Sequence, residues 1–153
     1  MKYLNALNKI TGLGSQKMKI LMSFFGSAQT IWKAGLGELE NSGIGSALAG
    51  KIVAEREKIN PDEEWEKMEK EKIRMVVITD DNYPKLLKEI TNPPYTLYIK
   101  STDKNFDFNA APMLAIVGSR KFTQYGKQAA EKMAQDLARA GITVVSGMAI
   151  GID

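Results

Sequence analysis

The run from Met113 to Gly147, "MLAIVGSRKFTQYGKQAAEKMAQDLARAGITVVSG", restricts the fold more than any other part of the chain. It opens with an uninterrupted apolar stretch of the kind that forms a buried parallel strand. The stretch breaks at Gly118, and a helical period then sets Ala129, Ala130, Met133, Ala134, Leu137 and Ala138 on one side. Thr123 suits the N-cap of that helix and Gly141 its C′ stop. "ITVVSG" reads as a second buried strand. Strand, helix and strand in this order make a βαβ unit, which implies a parallel sheet with a right-handed crossover.

Ligands of open parallel sheets bind beyond the carboxyl ends of the strands. Both ends here are small and polar: Gly118-Ser119-Arg120 after the first strand, Ser146-Gly147 after the second. Glycine lets backbone N–H groups face an anion, and the helix N-terminus adds positive potential. Arg120 can grip a phosphate with two parallel hydrogen bonds, and Lys121 stands beside it. The expected ligand is therefore a phosphate. Neither G-x-G-x-x-G nor G-x-x-x-x-G-K-[ST] occurs, and Arg120 stands where the dinucleotide motif needs its second glycine. The alternative is a purely structural turn with a solvent-exposed arginine. Phe122 and Tyr125 lie close enough in sequence to stack on bases, although core packing is the favoured role for Tyr125.

The chain has no cysteine and no histidine, which excludes thiol catalysis, thiolate metal sites and disulfides and removes the commonest general base. No catalytic residue, metal site or cofactor is expected. No apolar run is long enough to span a membrane, and the start lacks an export signal, so the cytoplasm is the expected location. Residues 1–60 carry 8 basic and 4 acidic side chains, residues 61–110 carry 8 and 11, and residues 111–153 carry 5 and 3. Two mildly basic ends permit contact with nucleic acid without requiring it.

Residues 1–60 read as a small all-α domain of short helices punctuated by glycine. Gly12-Leu13-Gly14 and Gly43-Ile44-Gly45 lie 31 residues apart, each followed by Ser and an apolar helix. The pair looks like two helix-hairpin-helix units, whose glycines let the backbone approach a DNA phosphate while Lys17, Lys19 and Lys51 assist. Two glycine turns in a packed bundle are the other reading. Asn60-Pro61 marks a boundary and opens a solvated connector helix with Trp65 and Met68 inward. "RMVVIT" and "YTLYIK" read as strands, Tyr83-Pro84 as the start of a helical turn, and "STDKNFDFNAAP" (101–112) as a polar loop. Residues 61–153 then form the connector and the first part of a Rossmann-like parallel-sheet domain.

"YPKLLKEITNPPYTLYIKS", "LAIVGSRKFTQYG" and "GITVVSGMAIGID" together resemble the DNA-processing protein A family (DprA, also called Smf). The resemblance runs from Tyr83 to Asp153, and the family's sterile-alpha-motif type of N-terminal domain agrees with residues 1–60. It implies an extended Rossmann fold that binds single-stranded DNA in the cytoplasm, protects incoming DNA in natural transformation, helps load the recombinase RecA and forms homodimers. It assigns backbone phosphate to Gly118, Ser119 and Arg120, and the facing wall to Ser146 and Gly147. Thr123 caps the helix beneath, and Gly151-Ile152-Asp153 is mainly structural, opening a following helix. Ser101 stands where the family usually has glycine, and Ile150 where it often has a basic residue. The family's sheet has more strands than the one crossover before Asp153 supplies, so an exposed strand edge is expected here, covered by a second copy or by the N-terminal helices.

Two other classes compete. Lysine-decarboxylase-like Rossmann enzymes cleave nucleotide N-glycosidic bonds, but their P-G-G-x-G-T-x-x-E motif does not occur. An interaction scaffold would use residues 1–60 to dock a protein instead of DNA.

Overall fold

The computed structural model describes residues 1–103 and 106–153, which form two compact units, Met1–Phe106 and Asp107–Asp153. Lys104 and Asn105 of the expected polar loop lie outside the described residues.

The first unit begins with six α-helices: α1 (Lys2–Leu7), α2 (Ser15–Phe25), α3 (Ala28–Lys33), α4 (Leu36–Leu39), α5 (Ser46–Arg56) and α6 (Pro61–Lys70), with a π-helical segment, Glu40–Ile44, after α4. Local chemistry sets their ends. The Ser27 hydroxyl accepts the Thr30 N–H, and the Asn60 side chain accepts the N–H groups of Asp62 and Glu63 ahead of Pro61. Gly26, at φ 74°, ends α2 in the left-handed conformation. Leu7, Met18, Leu21, Ile31, Leu39 and Ile52 are buried among these helices. Arg56 of α5 donates to the carbonyls of Trp32 (2.8 Å) and Ala34 (2.7 Å), closing the C-terminal end of α3.

The hairpin β1 (Ile73–Val77) and β2 (Thr96–Lys100) belongs to the same unit, antiparallel, with Met75 opposite Tyr98. Between them lies the single turn α7 (Lys85–Lys88). Met75, Val77 and Tyr95 share one apolar core with the helices, and so does Met68 of α6. The first unit therefore continues past Asn60-Pro61, and α6 packs on it through Met68 and Trp65, its expected inward face, with most of its other residues exposed. Lys9 pairs with Glu64 at 3.0 Å, and the buried Asn5 amide donates to the Glu64 carbonyl at 3.3 Å. The Tyr98 hydroxyl completes the link by donating to Asn5 Oδ1 at 2.9 Å and accepting from Asn8 Nδ2 at 3.0 Å.

The second unit contains β3 (Met113–Ala115), α8 (Gln124–Arg139) and β4 (Thr143–Val145). β3 and β4 are parallel, with Met113 opposite Thr143 and Ala115 opposite Val145, so the expected βαβ unit is present. Its strands are shorter and more exposed than their apolar sequence implies: Leu114 and Val145 are each 41% exposed. Met133 and Ala138, expected inward, are exposed too, leaving Ala129, Ala130, Ala134 and Leu137 as the sheltered face of α8. The reason is geometric, since one helix over two strands of three residues covers a single face of a small sheet and cannot enclose a core. Among the described residues, no helix is long and apolar enough to cross a membrane.

Candidate nucleic-acid interface

Gly118 follows β3, and here the residue must be small. A Cβ at this position would stand 2.7 Å from the Cβ of Ile152. Gly151 is equally constrained: at φ 131°, its Cβ would meet the Ser119 carbonyl oxygen at 2.4 Å. The Ile152 N–H donates to that same oxygen at 3.2 Å. The segment Gly151–Asp153 thus lies against the Gly118–Arg120 turn.

Asp153 fastens this arrangement from both sides. Its Oδ1 accepts the Gly118 N–H at 3.1 Å, and its carbonyl oxygen accepts the Ser146 hydroxyl at 2.6 Å. A Cβ on Gly147 would stand 3.1 Å from Asp153 Oδ2. The structure therefore brings Gly118, Ser119, Ser146 and Gly147 together at the ends of the two strands, with Asp153 between them. Sequence reasoning treated Asp153 as a structural residue and missed its place inside the site. The usable signal was the glycine pair 147 and 151 just ahead of an acidic side chain.

The hydroxyls serve the backbone. Ser119 Oγ accepts the Lys121 N–H at 3.1 Å and donates to the Lys121 carbonyl at 2.7 Å. Ser146 Oγ accepts the Met148 N–H at 2.9 Å, and Thr123 Oγ1 accepts the Gly126 N–H at 3.1 Å, capping α8 as expected. The first amides of α8, at Gln124 and Tyr125, have no intrahelical carbonyl to bond. Arg120 and Lys121 are exposed and make no ion pair among the described residues. Phe122 is 46% exposed and Tyr125 80%, so Tyr125 is not a core residue of its unit.

In the first unit, the two Gly-x-Gly turns differ in backbone, since Gly14 is extended at φ −82° where its counterpart Gly45 has positive φ. Gly12, Gly43 and Gly45 have φ of 91°, 84° and 91°, values that favour glycine. Leu13 and Ile44 are buried as plugs, while Gly14 and Gly45 sit at the N-caps of α2 and α5. Lys17, Lys19 and Lys51 make no ion pair among the described residues. A carboxylate holds one edge of the first turn, where the Thr11 N–H donates to Glu55 Oε2 at 2.9 Å. No cluster of side chains suited to a metal ion occurs among the described residues.

A parallel βαβ unit that turns at glycine beyond its first strand places this unit in the α/β class. The sequence model of one family, described as DNA recombination-mediator protein A, matches residues 74–153, and the chain belongs to that family. Protein Smf of Synechocystis sp. is 34% identical over 155 residues, covering 99% of this chain and 38% of that protein. DNA processing protein DprA of Streptococcus pneumoniae is 41% identical over 76 residues, 50% of this chain and 26% of that one. The X-ray structure of S. pneumoniae DprA matches with a TM-score of 0.68 and 26% identity, covering 100% of this chain and 51% of the other. The family is one of DNA-processing proteins, by the description of its model and the names of these relatives.

Proposed function

We propose that this chain carries a single-stranded DNA-binding surface of a recombination mediator, holding backbone phosphate at Arg120 and Lys121. The observation that carries the reading is the pair of exposed cations that follow the first of two parallel strands and make no ion pair among the described residues. Ser119 shapes the turn that presents them, Thr123 caps the helix that follows, and Ser146 and Gly147 form the opposite wall. The relatives carry DNA processing in their names, and the present module supplies the phosphate contact for such work. In this reading the bound strand is protected and passed to the recombinase RecA, and the active form is a homodimer acting in the cytoplasm. The hairpins at Gly12–Gly14 and Gly43–Gly45, with Lys17 alongside, give residues 1–60 a helix-hairpin-helix contact to DNA phosphate in a domain of sterile-alpha-motif type.

Fluorescence anisotropy of a labelled oligo-dT over a salt series tests the reading. Arg120→Ala should weaken binding about tenfold, the worth of one charge-assisted contact. The slope of log affinity against log salt should fall by about 0.7, the value for one phosphate on a single strand. Unchanged affinity and slope in the variant would reduce the turn to a structural element.

A further inference from the structure

Strand ends in a parallel sheet offer an anion their backbone amides, and at Gly118 that amide is already taken. The Asp153 carboxylate reaches it at 3.1 Å. The same side chain lies against Gly147 on the neighbouring strand end, where a Cβ would be 3.1 Å from Oδ2. Three further contacts make this placement definite. Gly151 packs on the Ser119 carbonyl more closely than any side chain would allow, the Ile152 N–H binds that carbonyl, and the Ser146 hydroxyl binds the Asp153 carbonyl oxygen. The negative charge is built in between the two strand ends. No cation is paired with it among the described residues.

We infer that Asp153 is an internal counter-anion that sets where phosphate binds in this site. It denies the Gly118 amide to an incoming phosphate and leaves the outer cations, Arg120 and Lys121, as the holding groups. This deepens the phosphate reading of the turn and rests on it. A phosphate held there sits beside a fixed like charge, so its affinity is lower than the cations alone would give. Weak, releasable contact at each site suits a protein that must hand its strand onward.

The test is oligo-dT affinity of the full chain with Asp153→Asn, Asp153→Glu and Arg120→Ala, each checked for an unchanged thermal transition. Asparagine keeps the shape and the acceptor for the Gly118 N–H but loses the charge. It should bind about fivefold tighter, the effect of removing one like charge near 4 Å in water. Glutamate keeps the charge and should not tighten. Equal or weaker binding by Asp153→Asn overturns the inference, and so does tightening in both Asp153 variants, which would trace the gain to a loosened turn. If Arg120→Ala weakens binding while Asp153→Asn does not tighten it, only the inference falls. If Arg120→Ala changes nothing, the phosphate reading falls and the inference with it.

Discussion

Tyr83 is fully buried, and its hydroxyl donates to the Pro94 carbonyl at 2.6 Å. One side chain thereby joins the Tyr83-Pro84 turn to the Pro93-Pro94 stretch, and Lys88 lies over its ring at 5.6 Å. Burial raises the phenol above its ordinary value of 10.0, so the hydroxyl remains a donor at neutral pH. Tyr83→Phe should cost about 1 kcal/mol, the worth of one hydrogen bond. Tyr83→Ala should cost about 4 kcal/mol because it also empties the ring's volume. Urea denaturation of the three proteins checks the ranking, and equal midpoints for wild type and Tyr83→Phe would show the bond to be idle. A single residue of this kind is legible in sequence as a turn former beside proline. Its partner eleven positions on is not, because the contact depends on how the intervening chain returns. Asp153 poses the same difficulty over a longer span. Gly118 announces a close approach, yet nothing within its own turn says that residues 151–153 make it.

At the scale of elements, caps and apolar period made the helices readable. Thr123 and Asn60 cap α8 and α6 as their side-chain chemistry requires. What α6 packs against was not readable, since three acidic residues in its first turn satisfy the helix dipole whether or not the helix is docked. Glu64 on this helix accepts from both Lys67 and Lys9, and the second contact ties α6 to the chain after α1. These hydrogen bonds, first from Lys67 and then from Lys9, hold its carboxyl below the ordinary 4.5. The unfolded chain therefore takes up the proton first as pH falls. Glu64's contribution is complete above pH 4.5 and is lost as pH drops through the folded value. Glu64→Gln should lower the urea midpoint at pH 7 by a small amount, because Lys9 and Lys67 are largely solvated. That gap should close in acid. A difference between the two proteins that is constant from neutral to acid pH would contradict the assignment.

For the molecule as a whole, the two units differ in what they enclose. Met1–Phe106 gathers helices and the antiparallel hairpin around one core, with Leu7, Leu21, Ile31, Leu39, Ala49 and Ile52 each at 0% exposure. Among the described residues of Asp107–Asp153 none is fully buried, and its two strands pair over only three residues each. Hydrophobic burial is the dominant favourable term in folding, so the second unit has far less to set against chain entropy. Its backbone should open locally while the first unit stays closed. Hydrogen exchange at single-residue resolution reads this directly. The Ile116 amide, bonded to the Val145 carbonyl at 2.9 Å, should exchange at least about a hundredfold faster than the amides of Leu21 and Ile52, a gap of about 3 kcal/mol in opening free energy. Oligo-dT at saturating concentration should slow Ile116 if the phosphate site lies at the strand ends, because a ligand stabilises only the state that binds it. Uniform protection across both units without DNA would mean that they unfold as one cooperative body. The parallel strands would then draw stability from something beyond the single layer that α8 provides.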